Sequence, residues 1–486
     1  MRKLPFLIAA IICLTLFVFF AASGWATTWY VRPAGGVYGA EDGTGYAAAW
    51  DGFANIVWAG AGVVAGDTLY ICGTHAGGIS VGASGSSGLK ITIRFDYATD
   101  YGHIEGGGSV SYPINLGGYD YITLIGAYDA GQITVQDADQ VNIYADGQVD
   151  NLTIDNVYSY DSERRYLKLA AGGDNLVIQD SLFDLSVEGN PITGMNGVTI
   201  TNSTFSNGGT RTTGNDDNLE IDECTGTILV QNSTFSGNQG AAGSGGIDFN
   251  SSATAAIVNI KYCRFFDNGL GIYFKGSTDH IGVIQYSLFW DNNIHYQTNY
   301  SAGNMHISIY NSTFYKSSNA SQHIEFRPTA GANTFIFKNN IVYGDTADFL
   351  YYDDTYTTII SDYNIFDTDI SSHFTDHVSA ADPTWAQWQS AGQDTNSIGP
   401  STDPLLTDPA IDIFTLQSTS PAIDAGALLS IHVDGWTDYA GKTRLYGAGV
   451  DMGAYEFVEN IGTLFPTPWT FPWGSVPVIL PWYVAP

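Results

Sequence analysis

The sequence predicts an all-β solenoid, a parallel β-helix, on three observations: one short alternating strand repeats eight times, a second strand recurs between the copies, and Gly- and Asn-rich turns separate them without helical periodicity. The eight copies are LTIDNVYSY (152–160), LVIQDSLF (176–183), VTITNSTF (198–205), ILVQNSTF (228–235), VNIKYCRF (258–265), GVIQYSLF (282–289), ISIYNSTF (307–314) and FIFKNNIV (335–342). An aromatic anchor recurs at Phe183, Phe205, Phe235, Phe265, Phe289 and Phe314, continued by Val342 and Phe366. The steps are 22, 30, 30, 24, 25, 28 and 24 residues. No copy can bury its apolar side alone, so the copies must stack into one core.

The second strand type reads NLEIDEC (218–224), GIDFNSS (246–252), GIYFKGS (271–277), IHYQTNY (294–300), HIEFRP (323–328) and FLYYDD (349–354). On these strands and turns the chain resembles the secreted right-handed parallel β-helix proteins of the pectin-lyase-like superfamily, over residues 27–457. The resemblance implies a right-handed coil with about three strands per turn. A second match lies at the C-terminal end, where Ser-Pro-Ala-Ile-Asp-Ala-Gly (420–426) and Asp-Met-Gly-Ala-Tyr-Glu (451–456) resemble the closing segment of many such proteins. It implies an architecture and no substrate.

The elements follow in order. Residues 1–26 read as a secretory signal peptide: Arg2 and Lys3, an apolar stretch through Phe20, then small residues to Ala26. A transmembrane anchor is the competing reading, disfavoured by the lack of a basic flank on the far side. Residues 27–78 are expected to hold the first strands and a short helical cap over 48–58, because an open coil needs its terminal rung covered. The β-helix is placed at 79–375 and the closing segment at 376–457. The last stretch, 458–486, carries six prolines and three tryptophans and is expected to lie extended.

Charge limits the partners. With 17 basic and 49 acidic residues the net charge is −32, which excludes nucleic acid. Three cysteines follow the signal, too few for a disulfide framework; Cys263 stands in a column of serines (Ser181, Ser203, Ser233, Ser287, Ser312), and Cys224 also reads as a small buried residue. Asp180, Asn202, Asn232, Asn311, Asn339 and Asp362 align as a turn ladder, so the Asn-Ser-Thr triplets within it are structural before they are glycosylation sites.

Candidate chemistry lies on the outward face of the second strand type, since side chains alternate with period two. Aligned by their inward pairs, one column reads Glu220, Asp248, Tyr273, His295, Glu325, Tyr351, and the other Asp222, Asn250, Lys275, Gln297, Arg327, Asp353. Glu220, Asp222, Asp248 and Asn250 then form a rectangle of oxygen ligands suited to Ca²⁺, with Asp216 and Asp217 in reach; acids pointing into water are the plainer alternative. Lyases of the superfamily are similar in outline. That resemblance implies Ca²⁺ on the rectangle, Lys275 as the base removing the C5 proton of a uronate, and Arg327 assisting from two rungs away; His295 fills the gap between them as an alternative acid or base, with Glu325 on the next rung. Two alternatives stay open. One is a glycoside hydrolase pairing Asp248 with Glu220 or Asp222. The other is a non-catalytic surface or matrix protein that binds glycan or acts as a spacer. The expected partner is a polysaccharide, acidic if the lyase reading holds, met outside the cell.

Overall fold

The structure, a computed structural model, describes residues 26–209, 216–238, 244–251, 256–276, 279–300, 304–317, 323–344, 349–353, 355–367, 374–376, 382–430 and 436–459. The apolar start and the Pro/Trp-rich end lie outside these residues, apart from their last and first positions respectively. No described helix is long and apolar enough to cross a membrane.

Among the described residues three parallel sheets of 14, 12 and 12 strands wind as a right-handed parallel β-helix, each turn placing one strand in each sheet. The first repeat type alternates buried and half-exposed residues because only one face meets the core: in Ala256–Lys261 the inward Val258 and Ile260 are buried and Asn259 and Lys261 are not. The aromatic anchors stack in the expected register, Phe183 on Phe205, then Phe235, Phe265, Phe289 and Phe314, continued by Val342 and Phe366. Their rings lie nearly parallel with centroids 4.7–5.3 Å apart, the spacing the strand ladder imposes.

The turn after each first-sheet strand needs one residue in the left-handed region. Asp180, Asn202, Asn232, Asn311 and Asn339 supply it with φ between 47° and 60°, a conformation their short polar side chains tolerate. Asn202 Nδ2 donates to Asp180 Oδ1 at 3.0 Å and Asn232 Nδ2 to Asn202 Oδ1 at 3.3 Å, so amides do stack there. Asp362 does not belong to this column. It pairs with Lys338, and its neighbour Tyr363 takes the positive φ of 58°. Within the turn, Ser181 N, Ser203 N and Ser287 N donate to the hydroxyls of Ser203, Ser233 and Ser312 one rung on. Cys263 fills the same column, free and buried like Cys224, and burial pushes both thiols up to about 12, far from a reactive thiolate.

The coil begins earlier than Ile79, since Thr28–Arg32 and Thr68–Ile71 already pair in the first sheet. The cap over 48–58 is formed by a two-residue strand, Trp50–Asp51, between single-turn helices at Tyr46–Ala48 and Phe53–Asn55, with Trp50 stacked on Trp29 at 5.2 Å. At the other end the helix Trp385–Ser390, started by a Thr384 capping box, lays Trp388 over Phe374 at 4.1 Å. The motif-bearing stretch packs along the side of the coil instead of over its end. It buries Leu406, Phe414 and Leu416 against Trp290, Tyr315 and Ile365. Asn339 fixes it through Ala427 N and Gly453 N, and Arg444, fully buried, lies between Glu456 and the rings of Tyr286 and Trp436.

Candidate functional site

The third sheet carries the second strand type, and its register brings the predicted rectangle together: Glu220 lies opposite Asp248 and Asp222 opposite Asn250. Lys275 follows Asn250, and Tyr273 follows Asp248. Exposure separates these residues. Glu220, Asp222, Asn250 and Lys275 are half-buried, whereas Asp248 is fully buried.

Lys275 Nζ closes an ion pair on Asp248 Oδ2 and lies 3.9 Å from Glu220 Oε1. Asp217, also buried, accepts Gly245 N at 2.6 Å and feels the charge of the Asp248 carboxyl. Burial pushes Asp248 up to about 7 against the pull of Lys275. It also raises Asp217 well above the carboxylate range, helped by the Asp248 charge, and raises Glu220 and Asp222. For Lys275 burial works against the charged form, but Asp248, Asp217 and Glu220 outweigh it and hold its pKa above the ordinary value. A lysine held this way is a fixed cation and not a base.

His295 is not on this face, which corrects the expected column. Tyr273 lies opposite Gln297, Glu325 follows Gln297, and Lys275 lies opposite Asn299, itself opposite Arg327. The strand sits two residues away from the apolar alignment because the inward position opposite Phe274 is Thr298, a buried polar residue whose hydroxyl accepts Arg327 N at 3.1 Å. His295 turns into the core between Phe289 and Phe314, with Nδ1 3.0 Å from Asn292 Nδ2. Burial, with His323 and Lys316 adding to it, drops its pKa well below the usual range. It is a neutral core histidine and cannot exchange protons with a substrate on the outer face.

Glu325 and Arg327 occupy their expected columns but are ion-paired to each other, with the guanidinium 4.9 Å from the Tyr351 ring. Arg327 stays two rungs from Lys275, about 10 Å. The four oxygen donors do not fit a divalent cation in this arrangement, because the Lys275 ammonium already meets the Asp248 carboxylate inside the rectangle. No group of three His, Cys, Asp or Glu among the described residues has metal-binding geometry.

Alternating-strand patterns do not single out Arg165 and Lys168, which lie on the same sheet, or Arg164 just before its strand; the sequence signal for them is the run Arg-Arg-Tyr-Leu-Lys, three of the chain's 17 basic residues within five positions. Arg164 Nε and Arg165 Nη2 share Glu188 at 3.0 and 2.6 Å.

The coil is similar to the crystal structure of pectate lyase Pel9A, at 16% identity and a TM-score of 0.44, over 89% of this chain and 98% of that one. No protein family and no curated protein matches the sequence.

Proposed function

We propose that the protein acts on polysaccharide laid along the outer face of the third sheet, and that Glu220 and Asp222 carry the chemistry. The observation that supports this is the division of labour in the acid cluster. Glu220 and Asp222 are half-exposed on one face of Leu219–Asp222, while Asp248 and Asp217 are buried behind them and Lys275 is held as a cation beside Glu220. Residues two apart on a strand are about 6.6 Å apart, a separation in the range used by carboxyl pairs that invert a glycosidic centre. Glu220, its pKa raised by burial, donates the proton to the leaving oxygen, and Asp222 activates water. Lys275, held as a cation by the buried Asp248 carboxyl, fixes the position of that pair beside Glu220 and does not abstract a proton.

Eliminative cleavage needs a base, and this arrangement denies that role to Lys275 and His295. Ca²⁺ at the rectangle would be held by Glu220, Asp222 and Asn250 only once Lys275 leaves Asp248. The apolar N-terminal start supports export to the polymer outside the cell.

The test is a panel of neutral, uronate-bearing and sulfated polysaccharides, followed for new reducing ends and for the absorbance of a C4–C5 double bond. Hydrolysis yields the first without the second, and Glu220→Gln lowers it by about 10²- to 10⁴-fold. Appearance of the chromophore would overturn the hydrolytic mechanism in favour of elimination. No product from any polymer would leave a binder or spacer.

A further inference from the structure

We propose that Tyr112, Tyr144 and Lys168 form a subsite for an anionic sugar ring, on the same outward face as Glu220 and three rungs before it. The proposal rests on the reading of the third sheet as the polysaccharide face. Tyr112 and Tyr144 stack with ring centroids 4.1 Å apart and planes 14° from parallel, and both stay half-exposed. Lys168 lies opposite Tyr144 on the next rung, with Nζ 5.9 Å from its ring.

Charge is what sets this place apart. Within 4.0 Å, Glu188 is the sole carboxylate met by Arg164 and Arg165 among the described residues, and Lys168 meets none. Asp139, Asp146, Asp216 and Glu220 act on the Tyr144–Arg165 region only from farther away. Two arginines therefore share one close carboxylate and the lysine beside them meets none, in a chain of net charge −32. Placing like charges together carries a cost that a solvated surface gives no reason to bear, and burial together with Arg165 and Arg164 depresses Lys168. A bound anion removes that cost. Both arginine forks are already engaged, each with Glu188 and Arg165 Nε also donating to Gly189 O at 2.8 Å, which leaves the Lys168 ammonium to meet the ligand.

Ligand chemistry follows from the pairing of a flat aromatic surface with a single ammonium. An aromatic face takes the apolar face of a pyranose, and the ammonium takes a carboxylate or sulfate ester on it. The register places Tyr144, Lys168, Pro191 and Glu220 on successive rungs of one column. Tyr144 is thus about 14 Å from Glu220 along the coil axis, and a short oligosaccharide running along the axis passes over both.

Calorimetry on the whole chain tests this with three probes: an oligogalacturonate, a sulfated oligosaccharide and a neutral oligosaccharide of equal length. An anionic probe should bind with an affinity that falls as salt rises. Lys168→Gln and Tyr144→Ala should each weaken it by about tenfold or more, at unchanged circular dichroism and melting temperature for Lys168→Gln. Whichever of carboxylate or sulfate probes binds in a Lys168-dependent way identifies the anion. Neutral and anionic probes binding equally, or Lys168→Gln binding unchanged, overturns the subsite, including the case where Lys168 merely covers the Tyr144 ring. Lys168-dependent binding without cleavage would sustain the subsite and defeat the hydrolytic reading. Cleavage unaffected by Lys168→Gln would do the reverse.

Discussion

Lys275 reaches diagonally across one rung to the buried carboxylate of Asp248, although the residue directly opposite it is Asn250. The diagonal is within reach of a long side chain on a parallel ladder. It decides the character of the site around Glu220: the strongest acid–base partner of its lysine is a carboxyl with no exposure of its own, so both groups are committed to each other before any ligand arrives.

The aromatic stack is the part of the core on which stability should depend most plainly. Phe235 is fully buried between Phe205 and Phe265, at 5.3 and 5.2 Å. Phe235→Ala removes contacts on two rungs at once and should cost about 3–5 kcal/mol. Equilibrium denaturation should show a lower midpoint, and a loss under about 1 kcal/mol would mean that neighbouring rings close the gap.

Much of this was legible in the sequence because a solenoid repeats its instructions. Six phenylalanines at matching positions settle the register of one sheet, and Asn at a left-handed turn announces itself by residue type. The third sheet was less legible where its inward residues turn polar. Apolar alignment places Ile294 and Tyr296 opposite Ile272 and Phe274, whereas the buried residues found opposite them are Tyr296 and Thr298, and Ile294 packs with Leu270 and Tyr273 apart from the main core. A shift of two keeps the parity of the strand, so Lys275 and Arg327 kept their places while His295 left the face. The Lys275–Asp248 diagonal had no sequence signal either, since alternation says which face a side chain takes and not how far along the face it leans.

Asp248 should leave a mark on the pH dependence of stability. Its folded pKa of about 7 lies above the unfolded value near 3.8, so the folded state holds the proton more tightly. Its contribution is fully present below about pH 4 and is lost as pH rises through about 7. Asp248→Asn removes that titration. The fall in unfolding free energy between about pH 5 and about pH 8 should therefore be shallower in the variant than in the parent, and equal slopes would show that Asp248 ionises freely in the folded chain.

His295 and Glu220 should separate stability from activity. His295→Ala empties a core position and removes one partner of Asn292 Nδ2, which still donates to Phe265 O, a loss of about 2–4 kcal/mol, with no change in the pH profile of whatever cleavage the parent shows. Glu220→Gln should do the opposite, sparing the melting temperature and removing turnover. If His295→Ala moved a kinetic pKa while the fold held, the histidine would have to reach the outer face in solution.

Lys275 offers the sharpest test of the site, because the same substitution separates a fixed cation from a base and from a metal ligand set. Lys275→Met leaves the buried Asp248 carboxylate uncompensated, and breaking a buried pair from one side costs about 3–5 kcal/mol at neutral pH; the loss should shrink in mild acid, where Asp248 takes up a proton. The variant also frees the rectangle of Glu220, Asp222, Asp248 and Asn250, whose oxygen donors suit Ca²⁺ once no ammonium competes. Added Ca²⁺ should then raise the melting temperature of Lys275→Met by mass action and leave that of the parent where it was. Lys275→Arg keeps the charge and should keep turnover, which it would abolish if the lysine were the proton-abstracting base. An equal calcium shift in parent and variant would place the ion away from Lys275, and loss of turnover in Lys275→Arg with an intact fold would return the lysine to the chemistry.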